Sequence, residues 1–253
     1  MEVKEKKRGP GRNNSNNELR EPEPARAGRR VPRWALVIAA CLLVPLSAAL
    51  LRTLGAAEAE LAAETTLVMS PTTLMFAAGF ALATLLCVAF RNSSRPYIVA
   101  HELTHALFGW LSGARVSDLT LAKYGGKVNI SKSNIMILLS PYFVPFYAFL
   151  LVLLYSPLSF FAPMGGSVFG RAYVLFIGLA WGHHFWWTLA ALCQLQQDFR
   201  EYGTFFSINL VIFANLLMLF LLFGLFSPMA WTRLFVIAGH ETVAVFREFW
   251  EIF

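Results

Sequence analysis

The sequence INLVIFANLLMLFLLFGLF, residues 208–226, contains no charged side chain. A helix needs about 20 predominantly apolar residues to cross the hydrocarbon core of a bilayer, so this stretch predicts a transmembrane helix. Five further apolar runs are bounded by polar or turn residues: 34–51, 67–90, 97–111, 135–154 and 172–192. The six runs predict an all-α polytopic membrane protein with about six transmembrane helices within residues 34–227.

The composition of the chain supports the same class. Charged residues make up only 14% of the sequence and hydrophobic residues 57%, whereas soluble domains carry about 25% charged residues. The three cysteines lie in or at the end of apolar runs and form no CxxC pair, which argues against a disulfide framework and a thiolate zinc site. We therefore expect a multi-pass integral protein of the cell membrane, with the lipid bilayer as its surroundings.

The positive net charge belongs to the N-terminal segment, residues 1–33. This segment holds ten Lys/Arg and five Asp/Glu residues and is rich in Pro, Gly and Asn. Such a composition cannot bury a core and predicts a disordered basic tail. Next to a membrane helix, a basic tail is a topology signal or an anchor on anionic lipid, so we expect no nucleic-acid partner.

Two segments differ from the apolar runs around them. Residues 115–134 hold two short, partly alternating stretches with Gly125-Gly126 between them, which predicts a β-hairpin whose turn uses the glycines at positive φ. Residues 228–253 mix charged side chains with Leu234, Phe246 and Trp250. That mixture predicts an amphipathic C-terminal helix at the membrane interface rather than a seventh span.

The third apolar run contains His101-Glu102-Leu103-Thr104-His105, an HExxH motif. On a helix, residues i and i+4 share a face, so both imidazoles can reach one zinc ion. Glu102 lies beside them and can act as general base on a metal-activated water. Glu102 is also the only acidic residue in the first four runs, and ionisable groups in membrane segments are costly and usually functional. The alternative is a buried, hydrogen-bonded polar cluster without a metal.

A catalytic zinc ion usually has three protein ligands, so a third ligand must come from elsewhere. Asp198 is the best candidate because it follows the fifth run at the membrane boundary. Its alternative role is that of an N-cap or a solvated loop residue. Glu201, His183 and His184 are further possible ligands.

With these residues in view, the sequence resembles the site-2 protease family of intramembrane zinc metalloproteases, in its short form without a PDZ domain. The resemblance covers roughly residues 97–207: an HExxH in a short membrane helix, a polar hairpin, a run broken at Ser140-Pro141, and a later helix followed by Asp198. It implies zinc bound by His101, His105 and Asp198, with Glu102 activating water. It also implies a membrane-protein substrate, presented in extended form by the hairpin.

Two other functions remain open on the sequence alone. One is a membrane zinc protease of the prenyl-protein type, with Glu201 as third ligand. The other is a non-catalytic transporter or scaffold that uses the His/Glu cluster for ion binding or polar packing.

The charges also conflict over topology. Six crossings with the basic tail in the cytoplasm would place the hairpin outside, although Arg115, Lys123, Lys127 and Lys132 favour the inside. Either one early run does not cross fully, or the N-terminus lies outside.

Overall fold

The computed structural model describes residues 31–64, 69–90, 95–122, 125–159, 161 and 167–251. The predicted disordered tail lies almost wholly outside the described residues. The chain is mainly helical, with one small two-stranded sheet. The helices are α1 Arg33–Ala63, α2 Pro71–Ala89, α3 Arg95–Leu111, α4 Ile135–Leu139, α5 Phe146–Ser159, α6 Val168–Cys193, α7 Gln197–Glu201, α8 Thr204–Phe226 and α9 Trp231–Glu251, and the strands are β1 Val116–Leu121 and β2 Gly126–Ile130.

Within the described residues, three helices are long and apolar enough to cross a membrane: α1, α2 and α8. A fourth span is possible if the pair Ile135–Tyr142 and Phe146–Ser159 is one broken span, bent by 85° at the predicted proline break. The membrane class is therefore supported, but the count of six spans is not confirmed. α3 has only 17 residues, and the two histidines and three tryptophans of α6 lower its hydropathy although its length suffices.

Glycines allow α2 and α6 to pack with their backbones in contact. A Cβ on Gly178 would collide with the carbonyl of Phe76, and one on Gly182 would collide with the carbonyl of Phe80. The spacing of these two glycines is the small-xxx-small pattern by which membrane helices approach closely. Residue numbers rise together in the two contacts, from Phe76 and Gly178 to Phe80 and Gly182. The helices α2 and α6 therefore run parallel.

The hairpin packs on α3, although its turn differs from the prediction. Leu121 pairs with Gly126, so residues 122–125 form a four-residue connection, and Gly126 is the first residue of β2. Neither Gly125 nor Gly126 has positive φ, so the predicted two-residue glycine turn is wrong. A Cβ on Gly109 of α3 would lie 3.0 Å from the side chain of Ile130, which shows how closely β2 approaches this helix.

The base of the hairpin and the start of α1 lie at the same end of the bundle, here named the hairpin end. Ile135, which follows the hairpin, packs against the cluster of Leu36, Ala40 and Phe206. α2 begins at the opposite end, where Glu58 near the end of α1 accepts a hydrogen bond from the backbone N–H of Ser70 at 2.5 Å.

The path of the chain removes the conflict over topology. α1 leads away from the hairpin end, and α2 returns because it runs parallel to α6. The last turn of α6 joins Leu139 and Tyr142 in a core cluster against which Ile135 also packs. The chain thus enters α3 and leaves it for the hairpin at the same end of the bundle, which favours the first of the two resolutions that the sequence left open.

The amphipathic C-terminal helix is present as α9, and it buries Leu234, Ile237 and Val245. Ion pairs fasten it to the second half of α1. Arg52 lies 2.8 Å from both Glu241 and Glu248, and Arg233 lies 2.8 Å from Glu60. Charges at this end of the bundle are thus largely paired, whereas the hairpin end carries the basic residues Arg33, Arg115, Lys127, Lys132 and Arg200.

We predict that the hairpin and the start of α1 face the same compartment, which the positive-inside rule makes the cytoplasm. In a chain whose native cysteines are replaced by serine, Arg33→Cys and Gly125→Cys should react with a membrane-impermeant maleimide from the same side. Glu64→Cys should react from the other side. Labelling of positions 33 and 125 from opposite sides would contradict this topology.

Candidate metal centre

The two histidines of the HExxH motif meet on one face of α3. Their Nε2 atoms lie 3.1 Å apart, and their ring centroids are separated by 4.7 Å at an angle of 86°. On the same helix, the hydroxyl of Thr104 donates to the carbonyl of Ala100 at 2.7 Å. The i, i+4 spacing therefore brings the two imidazoles together as predicted from the sequence.

A backbone carbonyl sets the orientation of His105. The Nδ1 atom of His105 lies 2.7 Å from the carbonyl oxygen of Ile137. A carbonyl only accepts, so Nδ1 carries the proton and Nε2 keeps its lone pair free for a metal. Asn134 in turn fixes Ile137, because its side chain accepts from the N–H of Ile137 at 2.7 Å.

Asp198 completes a group of three potential ligands. Its Oδ2 atom lies 4.0 Å from Nε2 of His105. One ligand atom from each of His101, His105 and Asp198 can be chosen so that all three lie within 4.8 Å of one another. Two imidazoles and a carboxylate can thus hold a metal ion, and no other group of this kind occurs in the described ranges of the chain.

The chain reaches Asp198 through a tight turn after α6. The N–H of Gln196 bonds to the carbonyl of Ala191, and the N–H of Leu195 bonds to that of Leu192, which is the Schellman arrangement of a helix C-terminus. Leu195 takes the left-handed conformation at φ 46°, a position where glycine is usual. This turn starts α7 beside the histidines, with Asp198 in its first turn.

Tyr142 contacts the candidate third ligand, Asp198, and was not predicted from the sequence. Its buried hydroxyl lies 2.6 Å from Oδ2 of Asp198 and 2.6 Å from Oε1 of Gln196. Its carbonyl accepts from Asn215 of α8 at 2.9 Å. The sequence feature that could have pointed to Tyr142 is its position directly after Ser140-Pro141, where the 3₁₀ turn Ser140–Tyr142 redirects the chain.

The other proposed ligands lie elsewhere. Glu201 lines a separate cavity with Arg33 and Arg200. His184 is buried in α6 with its Nε2 atom 3.5 Å from the hydroxyl of Thr188. His183 packs its ring against Tyr147, 6.1 Å away. None of these three candidates belongs to the group formed by His101, His105 and Asp198.

Glu102 is buried under the start of β2. A Cβ on Gly126 would lie 2.9 Å from both the carboxyl carbon and Oε1 of Glu102. The hairpin can therefore cover this carboxylate only because residue 126 has no side chain. Next to this contact lies a cavity of about 350 Å³. Its lining includes the first two residues of the HExxH motif, the two hairpin glycines and two glutamines: His101, Glu102, Gly125, Gly126, Gln194 and Gln196.

Comparison with known proteins adds no relative. No family model matches the chain, and neither a curated protein nor a solved structure does so. The geometry of the site therefore carries the functional argument.

Replacing Tyr142 by Phe removes the hydroxyl that holds Asp198. We expect affinity for a divalent metal to fall about 10- to 100-fold, as is usual when a partner of a metal ligand is lost. A competition titration of the detergent-purified protein against a chromophoric chelator measures this change.

The matched control is Tyr155→Phe, because the ring of Tyr155 packs on Tyr173 and Phe226 away from the site. Equal metal affinity in the two variants would show that the Tyr142 hydroxyl does not position the ligand.

Proposed function

We propose that the protein is a zinc-dependent intramembrane endopeptidase. The observation that carries this proposal is the convergence of His101, His105 and Asp198 within 4.8 Å, with Glu102 on the same helix lining the adjoining cavity. An acid–base residue next to a three-ligand metal centre and an open cavity is the arrangement that hydrolysis of a peptide bond requires.

The donor set suits zinc. Nitrogen and oxygen ligands about 2.0–2.2 Å from a tetrahedral zinc ion lie roughly 3.3 Å from one another. The Nε2 atoms of the histidines are 3.1 Å apart, while Asp198 is somewhat farther from His105, at 4.0 Å. A zinc ion held here would supply an acidified water and a Lewis acid for the peptide carbonyl.

Glu102 performs the proton transfers of the proposed reaction. It accepts a proton from the attacking water and delivers it to the amine nitrogen that leaves. Its position under Gly126 shields it from bulk solvent and keeps it facing the cavity. The hydrogen bond to the carbonyl of Ile137 keeps His105 in one tautomer, so the ligand set need not reorganise during the reaction.

The substrate class follows from the surroundings of the cavity. Helices apolar enough to span a membrane form the bundle, so a substrate reaching the cavity is a segment of a membrane protein. Such a segment must be extended, because the peptide bonds of a helix are already hydrogen-bonded and covered. The hairpin borders the cavity, and all six residues of β1 are exposed. Its free edge could pair with an extended strand.

The main competing function is a polar cluster without catalysis. The contact between the two histidines and the hydrogen bond between Tyr142 and Asp198 would both be present in such a cluster. This explanation predicts no stoichiometric metal and no hydrolysis.

The Glu102→Gln variant tests the proposal. We expect this change to lower kcat by at least about 10²-fold, because the general base is lost, while zinc remains bound at one ion per chain. Zinc content is measured by mass spectrometry, and cleavage with a transmembrane peptide in proteoliposomes.

Asp198→Ala should lose the metal, and Glu201→Ala should keep both metal and activity. Full cleavage by Glu102→Gln would refute the proposal. Loss of zinc in Glu201→Ala but not in Asp198→Ala would instead favour a prenyl-protein type of enzyme.

Two neighbouring glycines offer a matched pair for the role of the hairpin. An alanine at Gly126 meets the carboxylate of Glu102, whereas a Cβ on Gly125 has no atom within 4 Å. Gly126→Ala should therefore reduce kcat at least about 10-fold by displacing the base, and Gly125→Ala should leave the rate near that of the unchanged chain. Equal rates in both variants, measured with the same peptide, would show that β2 does not position Glu102.

A further inference from the structure

Three buried polar atoms around the metal centre have no hydrogen-bond partner. They are the hydroxyl of Tyr97, Nδ1 of His101 and Nε1 of Trp187. Within the described part of the chain, only Ser207 and Ser227 also have such an atom. Leaving a buried polar atom unpaired is costly, so three of them around one centre need an explanation.

The three side chains contact one another in sequence, with Tyr97 between His101 and Trp187. Tyr97 precedes His101 by one helical turn on α3, and their ring centroids are 5.4 Å apart. The indole of Trp187 stacks on Tyr97, with centroids 5.5 Å apart and planes inclined by 18°. All three residues line the same cavity as Glu102.

The chemistry of these atoms indicates what they can bind. The indole N–H of Trp187 is only a donor, and the phenol of Tyr97 has a proton to donate. Their missing partner is therefore an acceptor, and in the proposed reaction the acceptor that reaches this cavity is a peptide carbonyl oxygen. That oxygen gains negative charge during hydrolysis, and a fixed donor aimed at it lowers the barrier.

We propose that Tyr97 is a further catalytic residue, whose hydroxyl donates to the carbonyl oxygen of the scissile peptide bond. This inference rests on the proposed function. As the water oxygen bonds to the carbonyl carbon, the π electrons of the carbonyl move to its oxygen, where the Tyr97 hydroxyl stabilises them, and the water proton passes to Glu102. The electrons then return, the C–N bond breaks and Glu102 protonates the leaving nitrogen. Trp187 is a positioning residue, since its indole stacks on the Tyr97 ring.

A purely structural role for Tyr97 makes a different prediction. If the hydroxyl served stability, its removal would lower the thermal stability and leave kcat unchanged. If the buried hydroxyl is unpaired, its removal should leave the thermal stability equal or raise it, because replacing it by hydrogen removes a desolvated group that has no partner. Stability and activity should therefore change independently in the Tyr97→Phe variant.

The experiment compares Tyr97→Phe with Tyr147→Phe. The hydroxyl of Tyr147 donates to the carbonyl of Pro96 at 2.7 Å, so this control removes a paired hydroxyl beside the start of α3. We expect Tyr97→Phe to lower kcat about 10²–10³-fold, the usual loss for one oxyanion donor, with KM little changed, zinc retained and an equal or higher Tm. Tyr147→Phe should keep kcat and lower Tm. A phosphinic peptide, which mimics the tetrahedral state, should bind Tyr97→Phe more weakly than the unchanged chain, by the same factor as the fall in kcat/KM.

The outcomes separate this inference from the function on which it rests. Cleavage by the unchanged chain together with an unaltered kcat in Tyr97→Phe would overturn the role of Tyr97 alone. A fall in kcat accompanied by loss of zinc or a lower Tm would also overturn it, in favour of a structural role. Absence of cleavage by the unchanged chain would overturn the proposed function and this inference together.

Discussion

The site depends on the pairing of polar groups inside an apolar helical bundle. Ionisable side chains in such surroundings are costly and need partners. Here His105 binds the carbonyl of Ile137, and Asp198 binds the hydroxyl of Tyr142. These bonds join α3 to α4 and the 3₁₀ turn to α7, so the elements that support the site are connected through the candidate ligands themselves. A change in any of them should therefore reach the metal centre even when the changed residue is not a ligand.

Local periodicity predicted part of this site. The HExxH spacing on an apolar helix placed both histidines on one face, and the position of Asp198 at the end of a run made it a candidate. Both expectations agree with the group that the structure brings together. Tyr142 escaped because it contacts Asp198 across 56 positions of sequence, and nothing local marks a tyrosine as the partner of a distant carboxylate. Tyr97 shares the helical face of His101, but an aromatic residue at that spacing is ordinary in a membrane helix.

The fold was predicted less completely than the site. Apolar runs identified the class and most helix positions, but the number of spans depends on which runs cross fully. α3 has only 17 residues, and in the described part of the chain it is not among the helices long and apolar enough to cross a membrane. The hairpin was placed correctly, yet Gly126 belongs to β2 rather than to the turn. Gly126 instead provides the space in which Glu102 lies, a role set by tertiary contact that local turn preferences do not reveal.

In the proposed function, the path of α3 accounts for the access of water that hydrolysis needs. A helix that crosses the bilayer completely would hold its central residues far from water on both sides. α3 instead leads directly into the hairpin at one end of the bundle, and the cavity beside Glu102 is bordered by the polar residues Gln194 and Gln196 as well as by the hairpin. In the proposed reaction, water and an extended peptide meet at the candidate metal centre through this cavity. The basic hairpin end, the short third helix and the placement of the HExxH motif are therefore parts of one arrangement.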